Sequence, residues 1–153
     1  MNLLLAIDGS EFSTAAVHRV AAMSWPPGSR VLLLAVVRSD VFLLADFFVP
    51  ATAEIEKILQ EEVDRAAIRL RGLVPLLEAA HLSVTTRVER GDARSTIVET
   101  AEREHCDLVV IGSHGRTGVR KLLLGSVAAH VVAHAACDVL VVKHAESVRK
   151  ETP

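Results

Sequence analysis

Short apolar runs recur along the chain, and each one stops at turn-forming or charged residues. Four of the runs contain no polar position, which is typical of strands buried on both faces of a parallel sheet. A fifth run alternates apolar and polar residues and therefore predicts a strand with one exposed face. The predicted strands are Leu3–Ile7, Val31–Val37, Ser83–Glu89, Leu108–Ile111 and Val139–Val142.

Between these runs, apolar residues recur at the spacing of an α-helix. Ser13 is a candidate cap for the first helix, because its hydroxyl can accept a hydrogen bond from a free amide of the first turn. The second helix is long and charged, and Gly72 or Pro75 predicts a bend in it. The first predicted helix begins after Ser13. The other three cover about Thr52–Ala80, Asp92–Arg103 and Ser126–Ala136.

Strands that alternate with helices predict parallel pairing through right-handed crossovers. The expected fold is α/β, a single doubly wound five-stranded parallel sheet in the flavodoxin-like order 3-2-1-4-5. In such sheets, ligands bind at the carboxyl ends of the strands where the winding direction changes, here between strands 1 and 4. Asp8 and Gly112 follow those two ends. The sequence therefore predicts a binding site beside these two residues.

Composition narrows the class of protein. With 153 residues, half of them apolar, the chain predicts one domain at 1–145 and a polar tail at 146–153. A net charge of −2 and few aromatic residues argue against nucleic acid as a partner. No secretory signal or membrane-spanning run is evident, and the two cysteines, Cys106 and Cys137, are expected to be buried thiols. A cytoplasmic protein is the resulting expectation.

The segment with the clearest chemistry has the pattern Gly112-x2-Gly115-x9-Gly125-Ser126. Glycines let the backbone turn sharply and approach a ligand closely, and the amides at a helix N-terminus attract anions. The spacing therefore suits a polyphosphate. The intervening loop contains Arg116, Arg120 and Lys121. These side chains could add positive charge near a bound phosphate or remain solvated, and solvated side chains are slightly favoured. The pattern is neither a Walker loop nor a dinucleotide fingerprint.

With this glycine pattern, the chain resembles the universal stress protein family over nearly its whole length. The glycine pattern is similar to that of the family's ATP-binding branch. The segments that carry the resemblance are Ala6–Ser10 with Ser13, Gly91–Asp92, Cys106–Gly115, Gly125–Ala128 and Cys137–Val142. Two positions depart from the family's frequent pattern, since Ala6 and Asp138 stand where many members have proline.

The resemblance implies a role for particular residues in holding ATP. Asp8 would bond a ribose hydroxyl, and the backbone of Val36 would meet the adenine edge. The remaining implied contacts are Ile111 and Gly112 beside adenine and ribose, and Gly115, Gly125, Ser126 and Val127 around the phosphates. Mg²⁺ or Mn²⁺ would be held by those phosphates. The resemblance also implies a homodimer through the last strand and a regulatory or stress-response role, with a protein partner that the sequence does not name.

Several alternatives stay open. The same site could serve a slow ATPase or a self-phosphorylating enzyme, although no general base or acidic pair for a metal is evident. His130 and His134 stand four residues apart on a predicted helix and could share a metal, but structural histidines are favoured. The apolar stretch at 40–50, which holds three of the four phenylalanines, is either packed core or a flap next to the nucleotide.

Overall fold

The computed structural model describes residues 1–38, 53–115 and 124–143. Five strands and four helices alternate along this part of the chain. The strands are β1 (Asn2–Ala6), β2 (Arg30–Val37), β3 (Ser83–Arg90), β4 (Leu108–Gly112) and β5 (Asp138–Val142). The helices are α1 (Glu11–Ala21), α2 (Ala53–Glu78), α3 (Ala93–Arg103) and α4 (Ser126–His134).

All strand pairs are parallel, and the order across the sheet is β3-β2-β1-β4-β5. The predicted fold class and strand order are therefore confirmed. The apolar stretch at 40–50, the tail at 146–153 and the loop cations lie outside the described residues.

Two apolar cores cover the two faces of the sheet. Side chains along a strand alternate between faces, so Leu3 and Leu5 enter one core while Leu4 enters the other. The first core is completed by α1 and α2, and the second by α3 and α4. Because both faces are covered, the central strands must be apolar at every position. This requirement explains the unbroken apolar runs of the sequence.

The start of α1 and the end of α4 differ from the sequence-based expectation, whereas α4 begins at Ser126 as expected. The residue that caps α1 is Ser10, whose hydroxyl accepts a hydrogen bond from the Ser13 N–H at 3.1 Å, so Ser13 lies inside the helix. The capping position of α4 is Gly125, and Ser126 is its first helical residue. The same helix ends at His134 rather than Ala136, because Ala135 has extended backbone angles.

The long helix α2 runs through Gly72 and Pro75 as one continuous element. The proline removes one backbone donor, yet the turns on both sides keep their helical conformation. Leu70 and Leu77, two turns apart on the inner face of this helix, are fully buried. The stretch that contains the proline is therefore packed against the core at both ends. We infer that packing outweighs the local cost of the proline.

Candidate functional site

A cavity of about 260 Å³ opens at the carboxyl edge of the sheet, where β1, β2 and β4 end. All eight residues that the sequence analysis assigned to the nucleotide line it, although they come from four separate parts of the chain. They are Asp8, Val36, Ile111, Gly112, Gly115, Gly125, Ser126 and Val127. The fold thus brings the complete predicted set to one place, at the point where the winding direction of the sheet changes.

Asp8 stands just beyond the end of β1, in the turn that leads to α1. One of its carboxylate oxygens, Oδ1, accepts a hydrogen bond from the Ser10 N–H at 2.9 Å. The other, Oδ2, lies 3.0 Å from the point that a Cβ atom on Gly115 would occupy. Gly115 therefore lies directly against this carboxylate, and a side chain at this position would force the carboxylate to shift.

Val36 lies where β2 extends beyond its neighbour β1. The pairing of β1 with β2 stops at Ala6 and Leu34, followed by one bond from the Ile7 N–H to the Leu34 carbonyl at 2.8 Å. Backbone groups in a strand alternate in direction, so those of Val36 face the same side as those of Leu34. Because β1 has already ended there, they face the cavity. A planar base edge with a donor and an acceptor can meet them at this position.

The glycine segment after β4 is closely packed. A Cβ atom on Gly112 would lie 2.7 Å from the Cβ atom of Phe12, so only glycine fits against α1 at this position. The Gly125 N–H donates to the Ser113 carbonyl at 2.7 Å and closes the loop onto its own start. A Cβ atom on Gly125 would lie 3.2 Å from the Cα atom of His114. Gly112 is therefore required for the packing against α1, and a side chain on Gly125 would force the backbone of His114 to shift.

The first residues of α4, together with the preceding Gly125, line this cavity. Gly125, at the capping position, offers no side chain, and no acidic residue stands in the first turn. The Ala129 N–H is the first to bond within the helix, to the Gly125 carbonyl at 2.9 Å. The N–H groups of Ser126, Val127 and Ala128 precede it and have no acceptor within the helix. In contrast, Ser10 caps α1 and Asp92 caps α3 with a side-chain oxygen.

The cavity is also lined by residues to which the sequence assigned no role in holding the nucleotide. His114 lies between the first two glycines of the pattern, with its ring 5.2 Å from that of Phe12 and its Nδ1 atom 3.1 Å from the Ser113 hydroxyl. The apolar wall contributed by α3, Ala93 and Ile97, carries no motif. The position of His114 inside the glycine pattern is a signal that could have identified it. The wall residues come from another element, so only the tertiary structure brings them in.

The two cysteines lie at the opposite, amino edge of the sheet. Both are half-buried rather than fully buried, both are free thiols, and both line a second cavity of about 190 Å³. The predicted full burial is therefore wrong, because each cysteine precedes its strand and lies at the rim of the core. Burial raises the pKa of the Cys106 thiol to about 11, with a smaller contribution from Cys137. Burial also raises the pKa of Cys137.

The paired histidines lie on α4, away from the first turn that lines the cavity. Their rings stack, with centroids 4.0 Å apart. Within the described ranges, no group of three or more histidine, cysteine or carboxylate side chains is arranged to hold a metal. Likewise, no helix in the part of the chain that the structure describes is long and apolar enough to cross a membrane.

This architecture defines a doubly wound α/β protein with a cavity at the switch point of its sheet. Residues 1–143 match the Universal stress protein family, and the chain belongs to that family. Universal stress protein MJ0531 of Methanocaldococcus jannaschii is 32% identical over 144 residues, which cover 92% of this chain and 81% of that protein.

Solved structures show the same architecture. The hypothetical protein MJ0577 superposes with a TM-score of 0.81 at 27% identity, covering 94% of this chain and 95% of that one. A universal stress protein family protein of Arabidopsis thaliana, solved with AMP bound, superposes with a TM-score of 0.69 at 19% identity. That comparison covers 99% of this chain and 97% of the Arabidopsis one.

Proposed function

We propose that this protein binds ATP in the cavity at the switch point and acts as a regulatory module of the stress-response type. One observation carries the proposal: all eight residues implied by the glycine pattern and the family resemblance line a single cavity. The Arabidopsis structure with AMP bound supports the nucleotide class, because it shows that this fold can hold an adenine nucleotide.

Each part of the cavity suits one part of the nucleotide. The N–H groups at the start of α4 suit the phosphates, since they offer donors and no negative charge, and Gly115 and Gly125 carry no side chain that would occupy the phosphate space. Asp8, which lies on the side of β1, suits a ribose hydroxyl because a carboxylate accepts the hydrogen bond that the hydroxyl donates. The base would lie against the apolar wall near Val36.

A divalent cation fits this site only as a companion of the phosphates. Among the described residues that line the cavity, Asp8 is the one carboxylate, and it already accepts a hydrogen bond from the Ser10 N–H. Mg²⁺ commonly binds through one or two carboxylates together with substrate phosphates. The cation would therefore be held by the phosphates of ATP, where it would neutralise part of their charge. The protein's own contribution is the row of backbone donors.

The residues around the cavity suit nucleotide binding better than they suit catalysis. Fast phosphoryl transfer needs a positioned base and metal-bound carboxylates, and its typical rates are about 1–100 per second for kinases. The described lining offers one carboxylate and one imidazole, that of His114. In the proposed role, nucleotide occupancy is read by a protein partner, and the protein works in the cytoplasm without contacting nucleic acid or membrane.

The decisive experiment removes one phosphate-facing amide while leaving the helix intact. In Ser126→Pro the ring replaces the N–H at the first helical position, where proline is well tolerated. Gly125 has φ −68° and ψ 159°, which is the conformation that a residue before proline prefers. We expect calorimetric titration to show ATP affinity lowered by roughly 10-fold or more, because a hydrogen bond to a charged group is lost.

Two controls make this result specific. Ser126→Ala removes the hydroxyl but keeps the amide, so the difference between the two variants reports the N–H alone. Adenosine, which lacks phosphates, should bind both variants equally. The proposal fails if the wild-type protein does not bind ATP in the titration. It also fails if folded Ser126→Pro protein binds ATP as tightly as Ser126→Ala protein does.

A further inference from the structure

The histidine pair on α4 has a geometry that core packing alone does not require. His130 and His134 are four residues apart, so both project from the same side of the helix. Their ring centroids are 4.0 Å apart and the ring planes differ by 18°. His134 is exposed and His130 is half-buried, so solvent and dissolved ions reach the pair.

A backbone hydrogen bond fixes the proton of one ring. The Nδ1 atom of His134 lies 2.8 Å from the carbonyl oxygen of His130. A carbonyl oxygen can only accept, so Nδ1 of His134 carries the hydrogen and donates it. In the neutral ring, Nε2 must then hold the lone pair. This arrangement, with one nitrogen donating to a backbone carbonyl and the other left as a ligand, is the usual one for metal-binding histidines.

The two rings are near enough for one metal ion to reach both. Bonds from zinc to imidazole nitrogen measure about 2.0–2.1 Å, so two such ligands at a tetrahedral angle lie about 3.4 Å apart. The rings are stacked with centroids 4.0 Å apart, so their lone pairs are nearly parallel, and the His130 ring must turn about its side-chain bonds to bring a nitrogen to a metal held by Nε2 of His134. His134 lies in the last turn of α4, and the C-terminal end of a helix dipole favours a bound cation.

We propose that His130 and His134 form a two-histidine site for a divalent transition metal such as Zn²⁺, Ni²⁺ or Cu²⁺, with water completing the coordination. Imidazole nitrogen is a preferred ligand of these metals, whereas Mg²⁺ and Ca²⁺ prefer oxygen. The site is separate from the nucleotide cavity, which is lined by the first turn of the same helix. It does not depend on the proposed binding of ATP.

The test is a titration of nucleotide-free protein with Ni²⁺ and, separately, with Mg²⁺. His134→Gln and His130→Gln each leave one ligand, and losing the intramolecular second ligand should lower Ni²⁺ affinity by about 100-fold. His18→Gln is the matched control, since it removes one exposed histidine from α1 and leaves the pair intact. The cysteines and the remaining histidines are common to all variants, so they cancel in the comparison.

Ni²⁺ should also raise the thermal midpoint of the wild-type protein and of His18→Gln, because the chelate exists only when α4 is folded. His134→Gln should lose this shift, and as an exposed substitution it should leave the fold intact. The proposal is overturned if His134→Gln binds Ni²⁺ as tightly as His18→Gln. Binding of Mg²⁺ with the affinity of Ni²⁺ would overturn it as well.

Discussion

At the scale of single residues, Gly115 and Asp8 depend on each other. The missing side chain of Gly115 leaves the space in which the Asp8 carboxylate lies, with Oδ2 3.0 Å from the absent Cβ position. The sequence suggested that this glycine makes room for phosphate. The geometry adds a second requirement, because any side chain here must displace the group proposed to hold the ribose.

Gly115→Ala should therefore weaken ATP binding through the ribose. We expect roughly a 10-fold loss of affinity for ATP, because a hydrogen bond from the ribose to a carboxylate is disturbed. Little loss is expected for 2′,3′-dideoxy-ATP, which lacks those hydroxyls. Calorimetric titration with both nucleotides measures the difference. Gly72→Ala is the control, because no atom outside the adjacent backbone of α2 lies within 4 Å of its Cβ position. Equal losses for the two nucleotides would assign Gly115 to the phosphates alone.

At the scale of elements, α3 and α4 differ in whether a side chain satisfies the free amides at the N-terminus. Asp92 caps α3 by accepting hydrogen bonds from the N–H groups of Arg94 and Ser95. Its side-chain hydrogen bonds with Arg94, together with these amides, lower the pKa of the Asp92 carboxyl from 3.8 to about 2. The start of α4 has no such oxygen, which fits a site where a ligand anion takes its place.

Asp92→Ala should destabilise the protein by about 1 kcal/mol at pH 7, through the loss of the cap. Because the pKa of Asp92 is lower in the folded state than in the unfolded state, its ionised form stabilises the fold above about pH 4. That contribution should fade as the pH falls through about 2. Much of the side chain is exposed, so screening by solvent keeps the ionic part small.

Urea unfolding of the wild-type protein, Asp92→Ala and Asp92→Asn at pH 7, 4 and 2.5 measures this effect. Asparagine keeps a capping oxygen but carries no charge, so it should cost less than alanine at pH 7. The gap between the wild-type protein and Asp92→Asn should narrow at the lowest pH. A gap that stays constant across the series would contradict an ionic contribution from Asp92.

At the scale of the whole molecule, β5 forms one edge of the sheet. The Ser113 N–H donates to the Val142 carbonyl, so the backbone groups of Val142 and Leu140 face β4, while those of Val139 and Val141 face outward. An edge with outward-facing donors and acceptors favours pairing with another strand. We propose that two copies pair here to form the homodimer that the family resemblance implies.

Val141→Pro should convert that dimer to a monomer in sedimentation experiments at micromolar concentration. Proline removes an outward N–H without breaking the bonds to β4, and edge strands tolerate it on that side. Val141→Ala is the control, since Val141 also packs against the second core and both variants lose that side chain. A wild-type monomer, or a folded proline variant that remains a dimer, would refute pairing through β5.

The sequence by itself determined the class of fold and the strand order. Unbroken apolar runs that alternate with helical segments admit few arrangements, because a sheet covered on both faces requires this pattern. It also determined which residues to examine for a nucleotide, because the glycine spacing and the family resemblance are local features of the chain. The ends of the helices were predicted less well, since Ser10 and Ser13 are equally suitable caps when only their side chains are considered.

Only the tertiary structure decided the contacts between segments that are distant in the chain. It placed Asp8 against Gly115, turned the backbone of Val36 toward the cavity beyond the end of β1, and added the wall of Ala93 and Ile97. It likewise placed the two cysteines at the rim of the core rather than inside it. Such relations depend on where strands end relative to their neighbours, and that register arises from packing between elements rather than from any local pattern.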